Sequence, residues 1–213
     1  VLMSAGDETR KQFAPIFEKA GAIVIDNSSQ WRMANDVDLI VPEVNQPEFK
    51  RGIIANPNCS TIQSVVPLKV LYDAFGLKRV AYTTYQAVSG SGIKGKRDLA
   101  EGANGKAPEA YPHPIYNNVL PHIDVFLEDG YTKEEQKMID ETRKILGQPD
   151  LRVTATCARV PVQDSHSVEI DVTLDKEATV QEIKDLFEND NRVVLVDNPE
   201  NNEYPVSYTH LTL

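Results

Sequence analysis

The sequence predicts an α/β fold: a parallel-sheet front followed by an α+β remainder. Three observations carry this. A helical pattern over 8–21 runs straight into the continuous apolar stretch Ala22-Ile23-Val24-Ile25, the pattern of a strand buried on both faces of a parallel sheet. Two more short apolar runs, 37–42 and 52–55, follow it with turn residues between. Beyond residue 76 the style changes to long alternating runs and long helices, which predicts a mixed, largely antiparallel sheet. The change places a domain boundary near Asn56, between 1–56 and 57–205.

The elements follow in order. Ser4-Ala5-Gly6-Asp7 is a turn, and Phe13, Ile16 and Phe17 share one face of the helix that ends at Gly21. Residues 47–51 connect the second and third apolar runs. Asn56-Pro57-Asn58 is a turn signal. Ser60 and Thr61 are cap-type residues, and Ile62, Val65, Val66, Leu68, Val70 and Leu71 then recur at helical spacing. Pro67 predicts a kink or restart inside that helix. A long strand is expected over 77–86, a glycine-rich turn over 88–92 and a helix over 94–103. Residues 105–129 are rich in Pro and Asn and lack periodicity, an ordered excursion. Thr132 with Glu135 is a capping box for a helix that stops at Gly147. Strands over 152–159 and 165–174, a helix over 179–189 and a short strand over 193–196 complete the chain.

Composition bounds the function. The 213 residues carry a net charge of −10 with no basic stripe, which argues against nucleic acid or an anionic membrane as partner. No apolar run has the length of a membrane span, and no signal peptide is visible. Two cysteines in different contexts make no disulfide framework, and a reducing cytoplasm is the expected compartment. The four histidines are scattered, and no Cys/His cluster has metal-ligand spacing.

Cys59 is the leading chemical candidate. A strand, a tight turn and a helix start put it at or beside a helix N-terminus, where unpaired N–H groups and the helix dipole favour a thiolate. A buried inert cysteine is the alternative, but two flanking asparagines and two following hydroxyls make a poor core. His166 lies where a polar turn meets a strand, a place for a general base; a surface histidine satisfied by its neighbours fits as well. Arg159 ends a strand and suits a carboxylate or phosphate, although lone arginines are mostly solvated. Glu134 and Lys137 lie three apart on one helical face, a spacing most often meaning a surface ion pair. Arg32, after Trp31 in a loop, can bind an anion or face water. Ser89-Gly90-Ser91-Gly92 allows a close backbone approach to a phosphate or ring, a weak signal by itself.

Taken together, the segments match one family. Ser4-Ala5-Gly6; Gly21 to Ser29; Arg32-Met33; Val41-Pro42-Glu43-Val44-Asn45; Asn56 to Thr61; Gln86 to Gly92; and Arg159-Val160-Pro161 with His166 resemble aspartate-semialdehyde dehydrogenase of the bacterial branch, from Val1 to about Pro205. The resemblance implies a Rossmann-type dinucleotide-binding domain, here its C-terminal half, followed by a catalytic and dimerisation domain. It implies NADPH-dependent reduction of aspartyl phosphate to aspartate semialdehyde and phosphate, in the biosynthesis of lysine, threonine and methionine, by a homodimer.

By position the resemblance makes Cys59 the nucleophile that forms an acyl-thioester, and His166 the acid/base. Arg159 and Glu134 would hold substrate, and Gln86 would orient it. Arg32, Asn58 and Lys137 would bind the phosphate. Ser4, Ala5, Gly6, Ser89 and Gly90 would contact NADP. No glycine-rich dinucleotide turn stands ahead of Ser4, so the first Rossmann half is expected to be missing and the chain inactive in turnover. Residues 206–213 do not resemble the family and are expected to be a non-native tail. Cys59, Gln86, Arg159 and His166 are expected to converge on one pocket, with Glu134 and Lys137 facing it from the 132–146 helix. Three other readings stand beside this one: a reductase acting on N-acetylglutamyl phosphate, a cofactor-free thiol hydrolase using Cys59 and His166, and an inactive folded remnant.

Overall fold

A computed structural model describes residues 1–4 and 7–207. In chain order its elements are β1 (Leu2–Met3), α1 (Asp7–Lys19), β2 (Val24–Asp26), β3 (Asp38–Leu39), β4 (Ile53–Ala55), α2 (Cys59–Phe75), β5 (Leu77–Gln86), α3 (Gly92–Gly102), α4 (Lys133–Leu146), β6 (Arg152–Arg159), β7 (Ser167–Leu174) and α5 (Val180–Glu188). Short 3-10 turns cover Val88–Ser91 and Pro199–Asn201. The chain forms two compact units. Residues 1–79, 137–153 and 173–194 make the first, and 80–136, 154–172 and the segment from 195 make the second.

The first unit is built on a four-stranded parallel sheet in the order β1-β2-β4-β3. Val24 pairs with Ile53 and Leu39 with Ala55, so the three apolar runs lie side by side in register. Met3, Val24, Leu39, Ile53 and Ala55 meet Ala14 of α1, Val65 of α2 and Ile145 of α4 in one core. The run at 22–26 is not buried on both faces as its apolar sequence predicts. Strand alternation turns Val24 and Asp26 inward, and Ile25 on the other face is 43% exposed. Asp26 sits deep at the strand end, where Ser28 donates to Oδ1 through both its backbone N–H and its hydroxyl.

Helix α2 runs unbroken through Pro67, with no restart. A proline in a helix interior costs roughly 3 kcal/mol, because it removes one N–H and crowds the preceding turn. Val65, Leu68, Val70 and Leu71 are all buried on this helix. At about 1.5–3 kcal/mol each, their burial outweighs the defect. Gly76, at φ 71°, ends the helix and donates its N–H to Tyr72 O. At α5 a Thr179–Glu182 capping box fixes the start. The short strand expected over 193–196 is absent: the segment makes no ladder, and Val194 is 87% exposed. Apolar composition by itself does not make a strand where no edge pairs with it.

The second unit carries most of a three-stranded sheet in the order β6-β5-β7. Val160 N donates to Gln86 O, so β5 and β6 end together. Asp175 N donates to Gly76 O just outside the far ends of β7 and β5, so β7 runs back along β5 and the sheet is mixed. Excursion 105–129 forms no helix or strand beyond isolated bridges from Leu120 to Arg159 and from Phe126 to Thr132. It is nonetheless anchored: Ile115 and Leu120 pack with Val88 in a small core. Buried Asp98 of α3 accepts the backbone N–H of Glu109 and of Ala110, at 2.9 and 2.7 Å. Thr132 and Glu135 cap α4 reciprocally, as the sequence predicts, and Glu135 also accepts Cys157 N at 3.0 Å.

Candidate active site

The thiol is placed by a turn that several buried groups hold. Cys59 is the first residue of α2 and is exposed. The cap is Asn58, not Ser60 or Thr61: its Oδ1 accepts the N–H groups of Ser60 and Thr61 at 2.9 and 3.2 Å. An asparagine with φ −57° and ψ 145° leaves the helix open for such a bond, whereas Ser60 and Thr61 are already helical and fully buried. Cys157 is buried in β6, as expected for a cysteine facing Ala155 and Val153.

Glu141 of α4, almost fully buried, reaches this turn from the other side. Its Oε2 accepts Asn58 N at 2.6 Å and its Oε1 accepts Arg32 Nη1 at 3.0 Å. Arg32 is itself buried and gives Nε to Asn56 O at 2.9 Å and Nη2 to Asn27 O at 3.2 Å. Three of its five N–H donors are thereby committed, and two remain. One turn along α4, Lys144 Nζ donates to the carbonyls of Arg32, Ala34 and Val37 at 2.7, 2.7 and 3.1 Å. Burial, and secondarily the charge of Lys50, push its ammonium below the usual lysine range. Sequence reasoning missed Glu141 and Lys144. Their partners lie roughly a hundred residues away, and no local pattern marks them.

A second cluster lies within the second unit, around the backbone of Ala87. Arg159 Nη1 donates to Ala87 O at 2.7 Å, and Ala87 N donates to His166 Nδ1 at 3.0 Å. Arg159 is buried, and its Nε has no hydrogen-bond acceptor. Gln86, next in the chain, is buried and gives its Nε2 to Glu134 Oε1 and Thr84 Oγ1, each at 3.3 Å. Gly90 leaves its backbone bare beside this group. A Cβ there would lie 3.0 Å from Arg159 Nη1 and 3.7 Å from His166 Nε2. Ser89 N is fixed to Gln163 O at 3.0 Å. Desolvation, with Arg159's charge adding and Glu134's opposing, holds the His166 imidazole below its usual value. A neutral ring accepting at Nδ1 carries its proton on Nε2 and donates from there.

The residues read from the sequence therefore fall into two local groups. Arg32, Asn58 and Cys59 meet in the first unit. Gln86 with Glu134, and Gly90 with Arg159 and His166, meet in the second. Lys137 is half-buried on α4, and Ser4 is exposed after β1. Ala5, Gly6 and residues 208–213 lie outside the described residues. Among the described residues, no group of three or more His, Cys, Asp or Glu is placed to hold a metal ion. No described helix is long and apolar enough to cross a membrane.

Comparison with known proteins gives these groups a context. The family model "Semialdehyde dehydrogenase, dimerisation domain" matches residues 68–210, and "Semialdehyde dehydrogenase, NAD binding domain" matches 1–51. An aspartate-semialdehyde dehydrogenase of Aquifex aeolicus is 52% identical over 216 aligned residues, covering 96% of this chain and 64% of that protein. The chain thus spans a little under two thirds of the length of such relatives. Aspartate semialdehyde dehydrogenase II of Vibrio cholerae, complexed with ASA, superposes with a TM-score of 0.85 at 44% identity, over 89% of this chain and 60% of that one. The Candida albicans enzyme with NADP gives 0.70 at 27%, over 89% and 55%.

Proposed function

The chain belongs to the semialdehyde dehydrogenase family, and on that premise we propose that it is an oxidoreductase of the aspartate-derived amino-acid pathways. Its reaction is the reductive dephosphorylation of L-aspartyl 4-phosphate to L-aspartate 4-semialdehyde. The observation that carries this reading is Cys59, exposed at the first residue of a helix capped by its neighbour Asn58. A thiolate there is a nucleophile suited to an acyl phosphate.

In this reading the Cys59 sulfur attacks the acyl carbon, and the carbonyl oxygen becomes an oxyanion. The positive end of the α2 dipole favours that charge. The C–O bond to phosphate breaks and a thioester forms. Arg32, Asn58 and Lys137 take the phosphate charge. Arg159, with a buried unpartnered N–H, and Glu134 hold the substrate's carboxylate and ammonium, and Gln86 orients it between them. The chemistry that NADPH supplies when bound is hydride delivery to the acyl carbon. Ser89 and the bare backbone of Gly90 would hold its nicotinamide end, with Ser4, Ala5 and Gly6; a Cβ at Gly90 would fill that approach. His166 donates a hydrogen bond from Nε2 to the oxyanion of the reduced adduct and keeps its proton; the oxyanion re-forms the C=O of the aldehyde as the C–S bond breaks, and the electron pair returns to Cys59 as the thiolate. The reading includes a homodimer. Tyr116, Val119, Val125 and Phe126 on the excursion are all exposed, Phe126 by 63%, and a second copy would cover them. Sedimentation as a monomer at high concentration would remove that part.

The test mixes the protein with L-aspartyl 4-phosphate and no NADPH. One equivalent of phosphate should be released, and an acyl adduct should map to Cys59 and vanish with hydroxylamine. Continuous phosphate release without NADPH would mean a thiol hydrolase instead. An adduct formed from N-acetylglutamyl phosphate and not from aspartyl phosphate would move the substrate to that analogue.

A further inference from the structure

Two side chains of α4, neither assigned a role in the reaction above, hold the thiol turn and its arginine. We propose that Glu141 is a positioning residue that sets the direction of the Arg32 guanidinium relative to the turn bearing Cys59, and that Lys144 fixes the backbone end of the same arginine. The proposal rests on the reading above for what Arg32 binds, but its geometry does not.

The argument starts from donor and acceptor counts. Arg32 Nη1 and Asn58 N–H are both donors, and the two carboxylate oxygens of Glu141 take one each, at 3.0 and 2.6 Å. A carboxylate is the side chain that can accept from both at once. Glutamine has the same shape, but offers one acceptor and one donor. With glutamine at 141, one of the two N–H groups faces another N–H in a buried place, a mismatch that costs a full desolvation penalty. Arg32 is further held by Asn56 O and Asn27 O, so its plane is defined by bonds on three sides. Two N–H bonds remain, and their direction follows from the other three. The charge also matters: Arg32 and Glu141 are both buried, so each is the other's counter-ion. Lys144 adds three carbonyl contacts, one of them to Arg32 O, and so prevents the guanidinium from being redirected by a backbone shift. Glu141 and Lys144 are three residues apart, on one helical face. A single face of α4 thus grips the arginine at both ends, and the cap residue next to Cys59 as well.

The experiment uses the whole chain as wild type, Glu141→Gln, Glu141→Asp, Arg32→Met and the double variant Glu141→Gln/Arg32→Met. The readout is the rate of Cys59 alkylation by iodoacetamide at neutral pH, and its slowing by inorganic phosphate. Glu141→Gln should raise the phosphate concentration for half-protection about tenfold. Glu141→Asp keeps both acceptors and should recover most of that loss. In the Arg32→Met background, Glu141→Gln should change half-protection less than twofold, because the effect travels through the arginine. An equal loss in both backgrounds is what a merely structural carboxylate would give, and it would overturn the proposal. If phosphate protects no variant, wild type included, the phosphate assignment of Arg32 falls. The positioning claim is then decided by the ligand-free alkylation rates alone. Non-additive effects of Glu141→Gln and Arg32→Met on that rate uphold it, and additive effects refute it.

Discussion

Gly95→Ala sets two local preferences against each other on α3. Alanine favours a helix interior over glycine by about 1 kcal/mol, so propensity by itself predicts a gain. The added methyl, however, would sit 2.6 Å from Val88 O, 2.7 Å from Ser91 Cβ and 2.7 Å from Tyr111 Oη, against ordinary contacts of 3.4 Å or more. Each overlap is therefore about 0.7–0.8 Å. Val88 O is backbone and cannot rotate away. Overpacking of this kind costs about 1–3 kcal/mol, and a backbone neighbour puts Gly95 at the upper end. The expected net loss is about 2 kcal/mol, or a fall of roughly 1 M in urea midpoint for a slope near 2 kcal/mol/M. Ala100→Gly, at an exposed position of α3, measures the propensity contribution separately and should cost about 1 kcal/mol. The overlap also presses on the Val88–Ser91 turn, whose N–H groups at Val88 and Ser89 pair with Val162 O and Gln163 O. Amide exchange there should quicken in Gly95→Ala. Equal or greater stability of the variant, with unchanged exchange, would refute the steric reasoning.

Three further outcomes are expected. Iodoacetamide on the folded protein should label Cys59 and spare Cys157, which is fully buried; a tryptic map with Cys157 labelled first would reverse the assignment. Asn58→Ala removes the acceptor for two N–H groups and should cost about 1 kcal/mol in denaturant unfolding, with slower alkylation of Cys59 as the first turn frays. His166 has its folded value depressed, chiefly by burial, so the unfolded chain takes up a proton first as pH falls. Stability is full above about pH 6.5 and declines below it, at no more than ~1.4 kcal/mol per pH unit, until the folded ring is protonated too. Urea titrations of wild type and His166→Gln from pH 7.5 to 5 should differ in that slope, and identical slopes would remove the burial argument.

What the sequence disclosed follows from how local each signal is. Strands 77–86 and 152–159 match to the residue because each alternates between clear turn signals. The Thr132–Glu135 box is equally local, needing four residues to recognise and one helix to satisfy. The helix start at Cys59 was legible but its cap was misplaced by two residues, since Asn58, Ser60 and Thr61 are all cap types and only backbone angles separate them. Glu141 and Lys144 were invisible for a different reason. On α4 they read as ordinary charged residues of an amphipathic helix, and only the folded chain brings Arg32, Asn58 and the 34–37 loop to them. Ala87 escaped for the same cause: its side chain is featureless, and its backbone does the holding.

The Asp98 tether has a consequence for how residues 105–129 can change over time. The carboxylate grips the excursion by two main-chain N–H groups, so the hold is indifferent to which side chains stand at 109 and 110. Glu109 adds a partly exposed pair with Arg97, the kind of contact that contributes little. Drift at these two positions is therefore cheap for every residue but proline, which has no N–H to offer. The constraint sits instead on a single acid in a neighbouring helix. A stretch poor in regular structure can in this way keep its course at 109–110 while the letters there vary, and a lineage that lost Asp98 would have to hold that end of the excursion by other means.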